Sequence, residues 1–197
     1  RIGFVKEFIY NLLRCKFLFD NYVIKREFTA NTDRWSLKRL KWYKPTKAKN
    51  GVTYTNTFGA EEGELYDSDN RKVLMLLSMF HTSIPSMSYK YWLNAALNYL
   101  FNQFEINSTD YIKYLEHIAK SFVFDRYLAY EPESYYDLIY KNLKPVKRGE
   151  ETLDLVKLNY EQIENNLLFN FLDYLLWREY SNTEKDERVK KYEYSFR

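Results

Sequence analysis

The sequence contains a single cysteine, Cys15, in 197 residues. One thiol excludes an internal disulfide and a cysteine-built zinc site, and it fits a reducing cytoplasm. Histidine is almost as scarce. His81 and His117 fall on different predicted helices with no His or Cys three or four residues away, so neither begins a metal pair. Five glycines and four prolines leave few tight turns and favour long helices. A phosphate-cradling glycine loop and a GxSxG elbow are both missing. No apolar run reaches the ~20 residues that span a bilayer. No signal peptide is visible, and no helical repeat of about 30–50 residues recurs. The net charge of +3 permits contact with nucleic acid without demanding it.

Apolar residues make up 46% of the chain, enough for a packed core. Aromatics reach 19%, and 20 of them are tyrosines, which bury a ring and keep one polar tip. The length fits one domain with at most a small appendage. The first residue is Arg1, not methionine, which reads as a piece of a longer protein.

The densest apolar run lies between Asn70 and Phe104, and the rest of the chain is expected to pack around it. Val73, Leu76, Leu77 and Phe80 recur at helical spacing and predict a helix over 70–83, widened by Met75 and Met79. Ile84-Pro85-Ser86 breaks it. A second helix is predicted over 88–104, with Tyr89, Trp92, Leu93, Ala96, Leu100 and Phe104 on one stripe. Two helices with a short proline link read as a helical hairpin.

The flanking segments follow the same logic. Residues 3–23 predict a helix that packs Phe4, Phe8, Leu12, Cys15 and Phe19 into the core, with Lys6, Glu7, Asn11 and Arg14 facing water. Asn107-Ser108-Thr109-Asp110 signals a helix start, capped by Ser or Thr, that runs to about Tyr130. Pro132 ends it, and a short helix is expected at 134–143. Pro145 to Gly149 reads as a loop. A long last helix is expected over 159–180, with Ile163, Leu167, Phe171, Leu175, Leu168, Leu172 and Leu176 forming its apolar face. Asp125, Arg126 and Asp173 lie on these apolar helices as candidate buried polar partners. Residues 181–197 read as a polar linker entering a strand, with Tyr192, Tyr194 and Phe196 on one face.

Helical periodicity fails from about 24 to 66. Thr29 to Asp33 looks like a loop. Asn50-Gly51 is a turn signal, and Val52, Tyr54 and Thr55 favour a strand that could pair with Leu37 to Tyr43. The expectation is therefore a mainly α, bundle-like domain of five or six helices over residues 1–180, with a small β-hairpin or a short terminal strand.

Candidate binding residues come from one stretch. Arg34, Lys38, Arg39, Lys41, Lys44, Lys47 and Lys49 lie close together, with Trp35, Trp42 and Tyr43 interleaved. Cations with aromatic planes suit phosphate neutralisation and base stacking. The same pattern also fits a solvated loop whose tryptophans dock on the core. Arg34, Lys38, Arg39, Lys41, Trp42 and Lys44 are the DNA-contact candidates of this reading. The acids at 61–69 match no calcium-loop spacing and read as surface before a helix. His81, at a helix end, reads as a structural residue that could cap carbonyls.

Several stretches taken together resemble one family: RWSLKRLKWY, TYTNTFG, LMLLSMFHTSIPSMSYKYWLNAALNYLF, SFVFDRYL, NFLDYLLW and YEYSFR. They are similar to the region between two landmarks in GmrSD-like bacterial proteins, which carry a ParB-like N-terminal domain and a C-terminal HNH nuclease domain. That family is associated with modification-dependent restriction of foreign DNA. The resemblance spans nearly the whole chain, but the family's Asp-Gly-Gln-Gln-Arg motif does not occur in it, and its Ile/Val-Glu-His…Pro-Gln motif would be expected just after a strand like YEYSFR, where the sequence stops at Arg197. No catalytic residue carries over. The resemblance implies a non-catalytic helical middle region without a cofactor of its own. A divalent metal would be expected only in the absent HNH domain, and DNA only as the parent protein's partner. A stand-alone interaction domain that forms a homodimer is the rival reading, on the aromatic surplus. An enzyme with a site that leaves no sequence signal is the third.

Overall fold

The computed structural model describes residues 1–29, 31–43, 51–59, 68–84, 88–141, 150–160, 166–181 and 187–195. The fold is mainly α. Among these residues it contains α1 (Ile2–Tyr22), α2 (Asp69–Ser83), α3 (Tyr91–Phe101), α4 (Ser108–Ser121), α5 (Tyr135–Tyr140), α6 (Asn166–Tyr180) and α7 (Glu187–Lys190). Two antiparallel hairpins pair β1 (Lys25–Thr29) with β2 (Thr32–Ser36), and β3 (Lys38–Tyr43) with β4 (Gly51–Asn56).

Helix α2 is the centre. Ser68 caps it by accepting from the Arg71 amide, and every residue from Val73 to Phe80 is buried. A helix buried all round needs neighbours on every side. It packs chiefly against α4 and α6, and β2 touches it as well. The expected hairpin with α3 is a minor feature. Helix α3 packs on α1, α4 and α5, and meets α2 through the Phe80 and Trp92 rings, stacked 6.1 Å apart. Trp92, Ala96 and Leu100 are buried as the stripe predicts. Tyr89 and Phe104 lie beyond the ends of α3 and are exposed.

Asn107, not Ser108 or Thr109, caps α4, accepting from the amides of Thr109 and Asp110. Its neighbour Ser108 instead bonds Asp69 in the first turn of α2. Past Ser121 the helix widens into a π-helical segment, Phe122–Tyr127, which buries Phe122 and Val123. Leu128 then donates to the Val123 carbonyl at 2.8 Å. On α6 the buried residues are Leu167, Phe171, Tyr174 and Trp177, whereas Leu172 and Leu176 are exposed. The helical phase is set by its aromatics rather than by its leucines. Ile163 lies outside the described residues.

The expected pairing of 37–43 with 52–55 is present. Gly51 sits in β4 opposite Tyr43, and Asn50 lies outside the described residues. The Tyr43 ring occupies the place of a side chain at Gly51, where an added Cβ would meet it at 2.7 Å. The β1–β2 hairpin corrects the expected Thr29–Asp33 loop. Thr29 pairs with Thr32, and Asn31 between them takes φ 62, a left-handed value Asn tolerates. Buried Asn70 joins hairpins to helices, accepting from the Phe58 amide and donating to the Leu37 carbonyl.

The predicted terminal strand is absent over 192–195. These residues lie across α2 and α6 instead. Arg71 donates to Glu193 at 2.7 Å and to the Tyr192 carbonyl at 2.8 Å, and Tyr194 donates to the Asn170 carbonyl. The tyrosines alternate because they dock on helices, not because they pair with a strand. The acids at 61–67, Pro85, the loop at 145–149, the polar run 182–186 and Phe196 lie outside the described residues.

Candidate functional site

The two hairpins divide the basic stretch. Arg34 on β2 is exposed, opposite Glu27 in the β1–β2 register. Lys38 on β3 forms an ion pair with the same Glu27 at 2.8 Å. Arg34, Lys38 and Glu27 line one side of a polar cleft of about 420 Å³, with Asn70, Arg71 and Glu193 on the other. Side chains alternate along β3. Arg39 and Lys41 therefore share one face with Tyr43, while Trp42 lies on the opposite face, 73% exposed. Lys44 lies outside the described residues, as do Lys47 and Lys49.

A second cavity, of about 600 Å³, adjoins this cleft at Trp35 and Glu193. His81 is at its edge, half-buried in the last turn of α2. The Trp35 ring lies 4.6 Å from its ring and the Trp92 ring 6.1 Å. Its Nε2 is 3.2 Å from the Lys90 ammonium. An ammonium can only donate, so this nitrogen carries no proton. Burial first, then the Lys90 charge, push the His81 pKa below its ordinary value. His81 is thus a neutral acceptor in an aromatic cluster.

This has a consequence for stability. The unfolded chain takes up a proton on His81 as pH falls through about 6.5, while the folded chain resists it. Stability is therefore present above that pH and falls on acidification. Thermal melts should drop more between neutral and mildly acidic buffer for the wild type than for His81→Gln. Equal drops would assign the effect to other groups.

No protein-family model, curated protein or solved structure matches this chain.

The largest departure from the sequence reading is α1. Phe4, Phe8 and Leu12, expected in the core, are exposed, Phe4 by 74% and Phe8 by 59%. Only Leu18 is buried on this helix, with Cys15 and Phe19 half-buried. The C-terminal part of α1 is held by α3 and β3, and Arg14 donates to the Phe101 carbonyl at 2.7 Å. Ile2, Val5, Ile9, Leu13 and Phe17 are exposed as well. At 100° per residue these side chains cover about 220° of the helix, where a surface helix carries a stripe of about 100°.

Among the described residues no helix is long and apolar enough to cross a membrane, and no three His, Cys, Asp or Glu side chains group as a metal site.

Proposed function

We propose that this chain is a protein–protein assembly module that pairs with a second copy of itself through α1. One observation carries the reading: an apolar helix with eight large side chains, Ile2, Phe4, Val5, Phe8, Ile9, Leu12, Leu13 and Phe17, about half or more exposed. Counting an exposed ring at about 200 Å² and an aliphatic chain at slightly less, they offer on the order of 900 Å². A standard interface takes about 800 Å² per partner. The width of the arc requires contact on two sides. A second copy can supply both, its own α1 and the exposed apolar face of its β3–β4 hairpin. That face carries Leu40 opposite Tyr54 and Trp42 opposite Val52. A two-fold axis lets each helix lie on the other copy's hairpin. The single thiol supports a reducing cytoplasm as its compartment.

Sedimentation equilibrium tests this. The wild type is expected as a dimer at micromolar concentration. Phe8→Glu combined with Leu12→Glu should give a monomer with an unchanged helical circular dichroism spectrum. A wild type that is monomeric throughout would overturn the proposal. So would flotation of the wild type, but not the variant, with lipid vesicles, which would assign α1 to a membrane surface.

A second reading is favoured by the exposed Arg34, Arg39 and Lys41 together with the GmrSD-like resemblance. It makes this module the helical middle of a DNA-cleaving parent, with those cations on duplex phosphates. Alanine at the three should then lower the log–log salt slope of DNA binding by about 0.9 for each lost contact. An unchanged slope would sink it.

A further inference from the structure

The cavity beside His81 has no part in α1 pairing, and its walls are chemically unusual. Four aromatic rings line it: Trp35 from β2, Phe169 from α6, and Tyr192 and Tyr194 from the C-terminal segment. Tyr192 and Tyr194 stand at 77° to one another with centroids 5.3 Å apart, so two walls meet at a corner. The segment is fixed in place by Arg71 on Glu193 and on the Tyr192 carbonyl, and by the Tyr194 hydroxyl on the Asn170 carbonyl. The corner is therefore built before any ligand arrives.

The charges lining the cavity are acidic. Glu193 is neutralised by Arg71. Asp173 is not neutralised. The sequence suggested a buried polar partner on α6, yet it is exposed, and its hydrogen bond is from the Tyr192 hydroxyl at 3.3 Å. Among the described residues it has no cationic partner. His81 is neutral, so it adds no opposing charge.

We propose that this cavity binds an organic cation of the methylated ammonium class, its charge against Asp173 and its methyl groups against the aromatic walls. Ring faces attract a cation through their quadrupole but accept few hydrogen bonds. A bare ammonium would need acceptors for three N–H groups on entering, which ring faces do not supply. A methylated ammonium keeps the charge and has few or no such donors. The cavity, at about 600 Å³, is larger than such a headgroup alone, so the group it takes is attached to something more. Methylated lysine of a protein and a small choline-like molecule both present it.

The experiment is a titration of the full chain followed by tryptophan fluorescence and calorimetry. The probes are choline, a trimethyllysine peptide, the same peptide unmethylated, and 3,3-dimethylbutanol, the neutral isostere of choline. Saturable binding of choline or the methylated peptide is expected, with the isostere and the unmethylated peptide weaker by about tenfold or more. Whichever of choline and the methylated peptide binds more tightly identifies the source. Asp173→Asn should weaken the cation by about tenfold and leave the isostere unchanged. Asp173 is exposed with a single hydrogen bond, so this variant should fold, and its melting temperature checks that. Equal binding of cation and isostere, unchanged affinity in a folded Asp173→Asn, or no saturable binding of any probe would each overturn the proposal. None of these results depends on oligomeric state, so this proposal and the α1 pairing fail separately.

Discussion

Phe80→Ala should cost about 3–5 kcal/mol in urea unfolding, the cost of emptying a ring-sized site in a packed core. Phe80 is wholly buried on α2. It stacks on Trp92 of α3 with planes 4° apart and receives the edge of Phe122 at 71°, both at 6.1 Å. The ring thus joins α2, α3 and the π-helical segment. Since domains of this size are stable by about 5–15 kcal/mol, a large share of the total would go. The midpoint should move with little change in slope. Phe104→Ala is the control, because the same chemical change at an exposed ring beyond the end of α3 should shift the unfolding by no more than about 0.5 kcal/mol. Equal costs at the two sites would mean that Phe80 is not a core residue.

The contrast between Phe80 and Phe8 also marks how far the sequence could be read. Periodicity found both helices, because an apolar face recurs every three or four residues whether or not anything covers it. It could not tell a covered face from an open one. Val73 to Phe80 is buried because α4 and α6 flank it, and those neighbours are set by tertiary packing far along the chain. The β3–β4 hairpin was legible from strand propensity and the Asn50-Gly51 turn signal. The β1–β2 hairpin was not, since Lys25 to Thr29 lacks a clean alternation and its turn depends on a left-handed Asn31. The basic stretch was legible as composition. Its division was not, because the alternation that puts Trp42 opposite Arg39 and Lys41 follows from the hairpin register. The aromatic cavity had no local signal at all, since Trp35, Asp173 and Tyr194 are far apart in sequence and meet only through the docking of the C-terminal segment.

Glu116→Ala should destabilise the fold by about 2–4 kcal/mol, through hydrogen bonding and not through lost volume. The Glu116 carboxylate on α4 accepts from two donors on α6. The Tyr174 hydroxyl reaches its Oε1 at 2.8 Å and the Arg178 guanidinium reaches the same oxygen at 2.6 Å. Tyr174 is wholly buried, and burial raises its pKa, so the phenol stays protonated and must donate. With Glu116 gone it loses the acceptor it has on α4. Arg178 loses less, being partly exposed and open to solvent. Tyr174→Phe alone should cost only about 1 kcal/mol, because Glu116 keeps Arg178 as its partner. The double variant separates the two effects. If the unmet phenol is the main cost of Glu116→Ala, deleting its hydroxyl should restore part of the loss, leaving a coupling energy of about 1 kcal/mol or more. Strict additivity in that cycle would mean that α4 and α6 are held by apolar packing alone, with Glu116 a solvated neighbour of Tyr174.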